Sequence, residues 1–113
     1  MLKKYQIDQS ENISTAISIM KKNKENILIV INKKKEVVGI VTPGDLYKSL
    51  INSSTKNPLV HNIMNKNYYS IKKEEELLNI FYKKKDTKIL HIPIIKKKKL
   101  TKIFFYQDIL KKI

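Results

Sequence analysis

Apolar residues along this chain fall into two alternating rhythms, and the same succession of rhythms occurs twice. Ile13, Ala16, Ile17 and Met20 recur at the i, i+3, i+4 spacing that makes one buried stripe on a helix. A continuous apolar run follows, Ile27 to Ile31, too short and too β-branched for a helix and therefore predicted to be a buried strand. A polar turn, Lys33 to Glu36, leads into a second strand, Val37 to Val41, and a short helix is predicted from Pro43. The second half repeats this order. It has a helical stripe at Leu77, Ile80 and Phe81, a run from Ile89 to Ile95, a lysine turn at Lys96 to Lys99, a strand from Leu100 to Phe105, and a helix near Gln107. Lys84 stands where the first stripe has Met20, so the second stripe is a turn shorter. A short extended piece precedes each helix, Tyr5 to Ile7 and Tyr68 to Ile71.

The repetition has a register. A shift of 64 residues lays Tyr5 on Tyr69, Ile7 on Ile71, Glu11 on Glu75, Ile13 on Leu77, Lys24 on Lys88 and Val30 on Ile94. After a one-residue shortening at the second lysine cluster, Asp45 falls on Asp108 and Leu46 on Ile109. The expected organisation is two βαββα repeats, 1–55 and 56–113, joined at about 53–58 through Ser53-Ser54-Thr55-Lys56-Asn57-Pro58. The fold class is α/β (α+β), with the repeats packed in pseudo-twofold symmetry, because a unit this small cannot cover both faces of its own sheet. Pro93 within a strand implies an edge position or a nitrogen turned away from a ladder.

Length and composition narrow the chemistry. A chain of 113 residues buries roughly two-thirds of its unfolded surface and needs no metal or disulfide to fold. There is no cysteine, and two histidines leave little for a metal site, so metal binding is not expected. No uncharged run exceeds nine residues, so no membrane span is expected; the start, Met1-Leu2-Lys3-Lys4, leads into no apolar stretch, and a cytoplasmic location is expected. The net charge of +14 would suggest nucleic acid. All 24 basic residues are lysine, however, and none is the bidentate arginine that reads phosphate and guanine best. Lys, Ile and Asn make up 53 of the 113 residues, the bias of an AT-rich coding sequence, so a solvated lysine surface accounts for the charge and nucleic acid is not the expected partner.

The segment richest in chemistry is Gly39-Ile40-Val41-Thr42-Pro43-Gly44-Asp45, where a strand ends and a helix starts. Structurally, Thr42 is placed to cap the helix, Pro43 fills the first helical position and Asp45 completes a capping box. Functionally, the same geometry offers free N–H donors to a phosphate, with the Thr42 hydroxyl joining them and the Asp45 carboxylate accepting from a ribose diol. Both readings fit. No spacing forms a nucleophile elbow or a paired-carboxylate site, and Glu74-Glu75-Glu76 complements a helix dipole, so no enzyme is expected.

The Gly-x-x-Thr-x-x-Asp motif, the twofold repetition, the joint Pro58-Leu-Val-His-Asn-Ile-Met-Asn65 and the strand His91-Ile-Pro-Ile-Ile95 together resemble a tandem pair of cystathionine-β-synthase (CBS) domains, a Bateman module. The resemblance covers essentially the whole chain. It implies a regulatory module with clefts between the halves that takes an adenosine nucleotide such as AMP, ADP or ATP and requires no cofactor. It also implies a homodimer. Carried over to this sequence, Thr42 contacts phosphate, Asp45 holds the ribose hydroxyls and Gly44 lies in the turn between them. Ile7, Ile29, Ile71 and Pro93 border the base, and His91 stands at a phosphate-facing position. In the second half Asp108 persists, while Lys102 replaces the glycine and Phe105 the threonine; the ring fills phosphate space and the lysine crowds the backbone. At most one competent cleft is therefore expected, the one served by Thr42 and Asp45.

Thr42-Pro-Gly-Asp-Leu, the joint that continues to Asn67, and the glycine-free motif ending in Asp108-Ile-Leu narrow the likeness further. They resemble the CBS pair at the N-terminus of bacterial sugar-phosphate nucleotidyltransferases similar to mannose-1-phosphate guanylyltransferase. On that likeness the chain is a regulatory piece of, or partner to, such an enzyme. Two alternatives stay open: a pair with degenerate clefts that serves only dimerisation or domain positioning, and a basic protein that binds nucleic acid.

Overall fold

The computed structural model describes residues 2–52, 56–83 and 91–111, with the backbone alone for 81–83. Ser53-Ser54-Thr55 of the expected joint, Lys84, Lys88, the first two residues of the run from Ile89, and the Phe81 side chain lie outside the described residues. The chain forms two compact units, residues 1–68 and 69–113.

In the first unit a 3-10 turn (Leu2–Tyr5) leads into β1 (Gln6–Asp8), α1 (Ile13–Asn23), β2 (Leu28–Ile31), β3 (Val37–Val41), α2 (Pro43–Asn52) and α3 (Val60–Ile63). The strands lie in the order β1-β2-β3, β1 parallel and β3 antiparallel to β2. The helical stripe forms as its spacing predicts: Ile13, Ala16 and Met20 are buried on α1 and pack with Leu28, Val30 and Val41 from one face of the sheet. Strand alternation sends Ile29 and Ile40, also buried, to the other face. α1 stops where Lys24 turns left-handed at φ 59° and its amide donates to the Met20 carbonyl at 2.9 Å.

The boundary between the units lies beyond the expected joint, for a physical reason. Asn12 does not cap α1 with its own side chain. The first helical amides bond instead to the last two residues of that joint, Ile13 to the Pro58 carbonyl at 3.0 Å and Ser14 to the Asn57 side-chain oxygen at 3.2 Å. Further along, Ile40 and Asn65 exchange backbone bonds of 3.0 and 2.7 Å. That exchange draws Met64 over Gly39, where an added Cβ would lie 2.7 Å from the Met64 sulfur and 3.2 Å from the Asn65 carbonyl. Gly39 is there for this close approach, since its φ is not positive. α3, which hydrophobic periodicity did not predict, is held by the same stitching, the Val60 amide donating to the Glu11 carbonyl at 2.7 Å.

The second unit carries a 3-10 turn (Glu74–Glu76), α4 (Leu77–Lys83), β4 (His91–Lys96), β5 (Lys99–Phe105) and α5 (Tyr106–Lys111). Its core gathers Ile71, Leu77, Ile92, Ile94, Phe104 and Ile109. The two hairpins share their register residue for residue: Leu28 opposite Val41 matches Ile92 opposite Phe104, and the bulge between Val30 and Ile31 recurs between Ile94 and Ile95. Even β1 has its counterpart, because Ile7 pairs with Val30 and Ile71 bridges Ile94, both in parallel. The counterpart shrinks to that single bridge. Pro93 turns its carbonyl toward Ile71, which donates to it at 3.1 Å, and has no N–H on that side to extend the pairing back toward Tyr69. Pro93 therefore lies within the sheet, opposite Ile103, with its nitrogen where the bridge ends.

Candidate functional site

One carboxylate organises the turn from β3 into α2. Asp45 Oδ2 accepts from the Thr42 amide at 2.9 Å and from the Thr42 hydroxyl at 3.0 Å. The amide bond is one half of a capping box. The other half is replaced, because the hydroxyl donates to the carboxylate and accepts nothing from the helix. Pro43 has no N–H, and the helical ladder begins with Leu46 donating to the Thr42 carbonyl at 3.2 Å. Among the described residues, the amides of Gly44 and Asp45 are thus the helix's free donors. Space above Gly44 is open, with only the Thr42 hydroxyl near, 3.7 Å from an added Cβ.

A hollow of about 390 Å³ opens beside this turn, within the first unit. Asp45, Lys48 and Asn52 face it from α2, and Pro58, Asn62 and Ile63 close it from the segment that leads into and through α3. Ser49, on the same face, is buried and donates its hydroxyl to the Leu46 carbonyl at 2.8 Å. Asp45, Lys48, Ser49 and Asn52 follow an i, i+3, i+4, i+7 spacing, a polar stripe that was legible in the sequence but was not singled out there.

Of the residues expected to contact a ligand, the first unit brings Thr42, Gly44 and Asp45 together at the start of α2. Ile29 lies opposite Ile40 on the sheet face away from the α1 core, and Pro93 holds the equivalent place opposite Ile103. Ile7 and Ile71 do not share that face. They are 4% and 2% exposed and belong to the two hydrophobic cores, so packing accounts for both.

In the second unit the Phe105 amide donates to Asp108 Oδ2 at 2.9 Å, the same bond as between Thr42 and Asp45 without its hydroxyl partner. A hollow of about 330 Å³ is lined there by Lys102, Phe104, Asp108 and Lys111. Lys102 does not crowd the backbone as expected; it is exposed and extends its ammonium over the Phe104 ring at 4.6 Å. His91 lies opposite Phe105, half-buried, and burial holds its pKa below the ordinary 6.5 against a smaller opposing effect from a backbone hydrogen bond. Among the described residues no cluster of three or more His, Cys, Asp or Glu could hold a metal, and no helix is long and apolar enough to cross a membrane.

Comparison with known proteins agrees with the fold. Residues 1–52 match the family model for the CBS domain. Among solved structures, the CBS domains of a transcriptional regulator from Streptococcus pneumoniae superpose with a TM-score of 0.79 at 15% identity, over 96% of this chain and 89% of that one. The CBS domain pair of protein MJ0100, in complex with 5′-methylthioadenosine and S-adenosyl-L-methionine, gives 0.77 at 22% identity over 95% and 85%. CBSX2 in complex with AMP gives 0.76 at 19% identity over 94% and 84%. No curated protein sequence matches the chain. The fold is that of CBS-domain pairs, and none of these matches supports the narrower likeness to the nucleotidyltransferase-linked pair.

Proposed function

We propose that this chain is a regulatory ligand-binding module, not a catalyst, and that an adenosine-type nucleotide (AMP, ADP or ATP) binds at the Thr42–Asp45 turn. The observation that carries this reading is the hollow beside the turn, with the Asp45 carboxylate facing it and the donors of Gly44 and Asp45 adjacent. A carboxylate held by Thr42 through Oδ2 presents Oδ1 to a diol. The ligands in the MJ0100 and CBSX2 complexes carry such diols, which supports an adenosine compound here. Binding would act by population shift: whichever arrangement of the chain the nucleotide prefers is the one an attached or partner enzyme reads. The sequence likeness makes a sugar-phosphate nucleotidyltransferase the candidate enzyme.

A second reading rests on α2, where Tyr47, Leu50 and Ile51 are 66%, 63% and 61% exposed. Three large apolar side chains on one short helix favour self-association, so a homodimer belongs to the proposal and dimerisation alone is its rival. Thermal denaturation with and without nucleotide separates the two. A ligand at a hundredfold its Kd adds about 2.7 kcal/mol to the native state, whereas a module that only dimerises responds to protein concentration and not to nucleotide.

A further inference from the structure

Resting on that reading, we infer that Lys48 is the anion anchor of the first unit's hollow, and that its ligand is a phosphomonoester with a vicinal diol. The diol sits on Asp45 and the phosphate on Lys48. Both side chains line the hollow, three residues apart on α2 and therefore about 4.5 Å apart along the helix axis. That rise is comparable to one sugar ring, the spacer between the diol and the phosphate of a 5′-phosphate.

Three observations assign the phosphate to Lys48 and not to Thr42. The Thr42 amide and hydroxyl both donate to Asp45 Oδ2, so neither has a hydrogen left for a phosphate oxygen. Lys48 forms no ion pair among the described residues, although a carboxylate stands one turn away, and it is the one cation lining the hollow there. The spacing also recurs. Asp108 and Lys111 stand in the second unit where Asp45 and Lys48 stand in the first, and both line its hollow, although the glycine and threonine of the motif are gone. The Asp-x-x-Lys pair outlasts the motif around it.

A single ammonium pairs with a single phosphate group, and Pro58 and Ile63 supply apolar surface beside it. The test is calorimetric titration of the full chain with AMP, adenosine and ribose 5-phosphate, for the unsubstituted protein, Lys48→Gln and Lys48→Arg. The expected result is a roughly tenfold to hundredfold loss of AMP and ribose 5-phosphate affinity in Lys48→Gln, the size of one charge-assisted hydrogen bond, with adenosine unchanged and Lys48→Arg restoring the phosphates. AMP binding tighter than ribose 5-phosphate then assigns a nucleotide, and equal binding assigns a sugar phosphate. If Lys48→Gln leaves AMP affinity unchanged, or weakens adenosine equally, the anchor is overturned while the proposed function stands. If the unsubstituted protein binds none of the three, the proposed function falls and the anchor with it.

Discussion

Thr42 and Asp45 are joined twice, amide to carboxylate at 2.9 Å and hydroxyl to the same oxygen at 3.0 Å, whereas Phe105 and Asp108 keep only the amide bond, at 2.9 Å. The comparison separates the two tasks of the motif. The carboxylate-to-amide bond starts the helix in both units, with a threonine at the first position in one and a phenylalanine in the other. The hydroxyl is an addition of the first unit, and it fixes which way the Asp45 carboxylate points.

Asp45→Ala should abolish nucleotide binding and also lower stability, because both bonds to Thr42 disappear. The stability cost of a lost cap is about 0.5–2 kcal/mol, measurable by urea denaturation. Thermal shift with AMP should fall to zero in the variant. A retained shift would move the ligand away from this turn.

Thr42→Ala should be milder, about 0.5–1.5 kcal/mol, since the backbone amide still reaches Asp45 as it does from Phe105. Thr42→Ser keeps the hydroxyl and should be near neutral. Urea midpoints for the pair check this, and an equal loss in both variants would show that the methyl group matters, not the hydrogen bond.

Gly39→Ala should destabilise by about 1–3 kcal/mol through overpacking, because its Cβ would meet the Met64 side chain at 2.7 Å and the Asn65 carbonyl at 3.2 Å. The Met64 side chain can swing aside, but Asn65 is tied to Ile40 by two backbone bonds. Gly39→Ala combined with Met64→Ala should recover only part of the loss. Full recovery would place the whole cost in the methionine.

Lysine holds every left-handed position among the described residues: Lys24, Lys35, Lys97 and Lys98 have φ of 59°, 66°, 50° and 67°. Lys97 and Lys98 form the two-residue connection between Lys96 and Lys99, where both positions need positive φ and an asparagine followed by a glycine is preferred. The double substitution Lys97→Asn/Lys98→Gly should raise stability by about 1–2 kcal/mol, read as a higher melting temperature. An unchanged or lower melting temperature would show that the lysines meet no strain in this turn.

Burial lowers the His91 pKa in the folded chain below its ordinary 6.5. The unfolded state therefore takes up protons first as pH falls, so stability from neutral His91 is full above about pH 7 and is lost as pH falls from 6.5 through the folded value. Urea midpoints between pH 7.5 and about 5 should decline in the unsubstituted protein and flatten in His91→Gln. Equal slopes would remove His91 as the cause. Asp8, whose pKa is lowered chiefly by the Ser10 hydroxyl, then its amide, titrates below the carboxylate value of 3.8 and lies outside this range.

What the sequence determined by itself is what acts over a few residues or recurs by period. The α1 stripe, the hairpins with lysine tips and the Thr42–Asp45 turn depend on neighbours along the chain, so spacing alone predicts them. The repeat register was legible because core positions such as Ile7 and Ile71, Ile13 and Leu77, and Val30 and Ile94 have counterparts of the same polarity. Tertiary structure decided the rest. Gly39 reads as part of a ligand motif until Met64 is found lying on it, Ile7 reads as a site residue until the core closes around it, and Lys48 reads as surface until Pro58 and Ile63 form the opposite wall of its hollow. Each of these depends on which distant segment arrives, and burial of apolar surface selects that segment with no spacing rule along the chain to announce it.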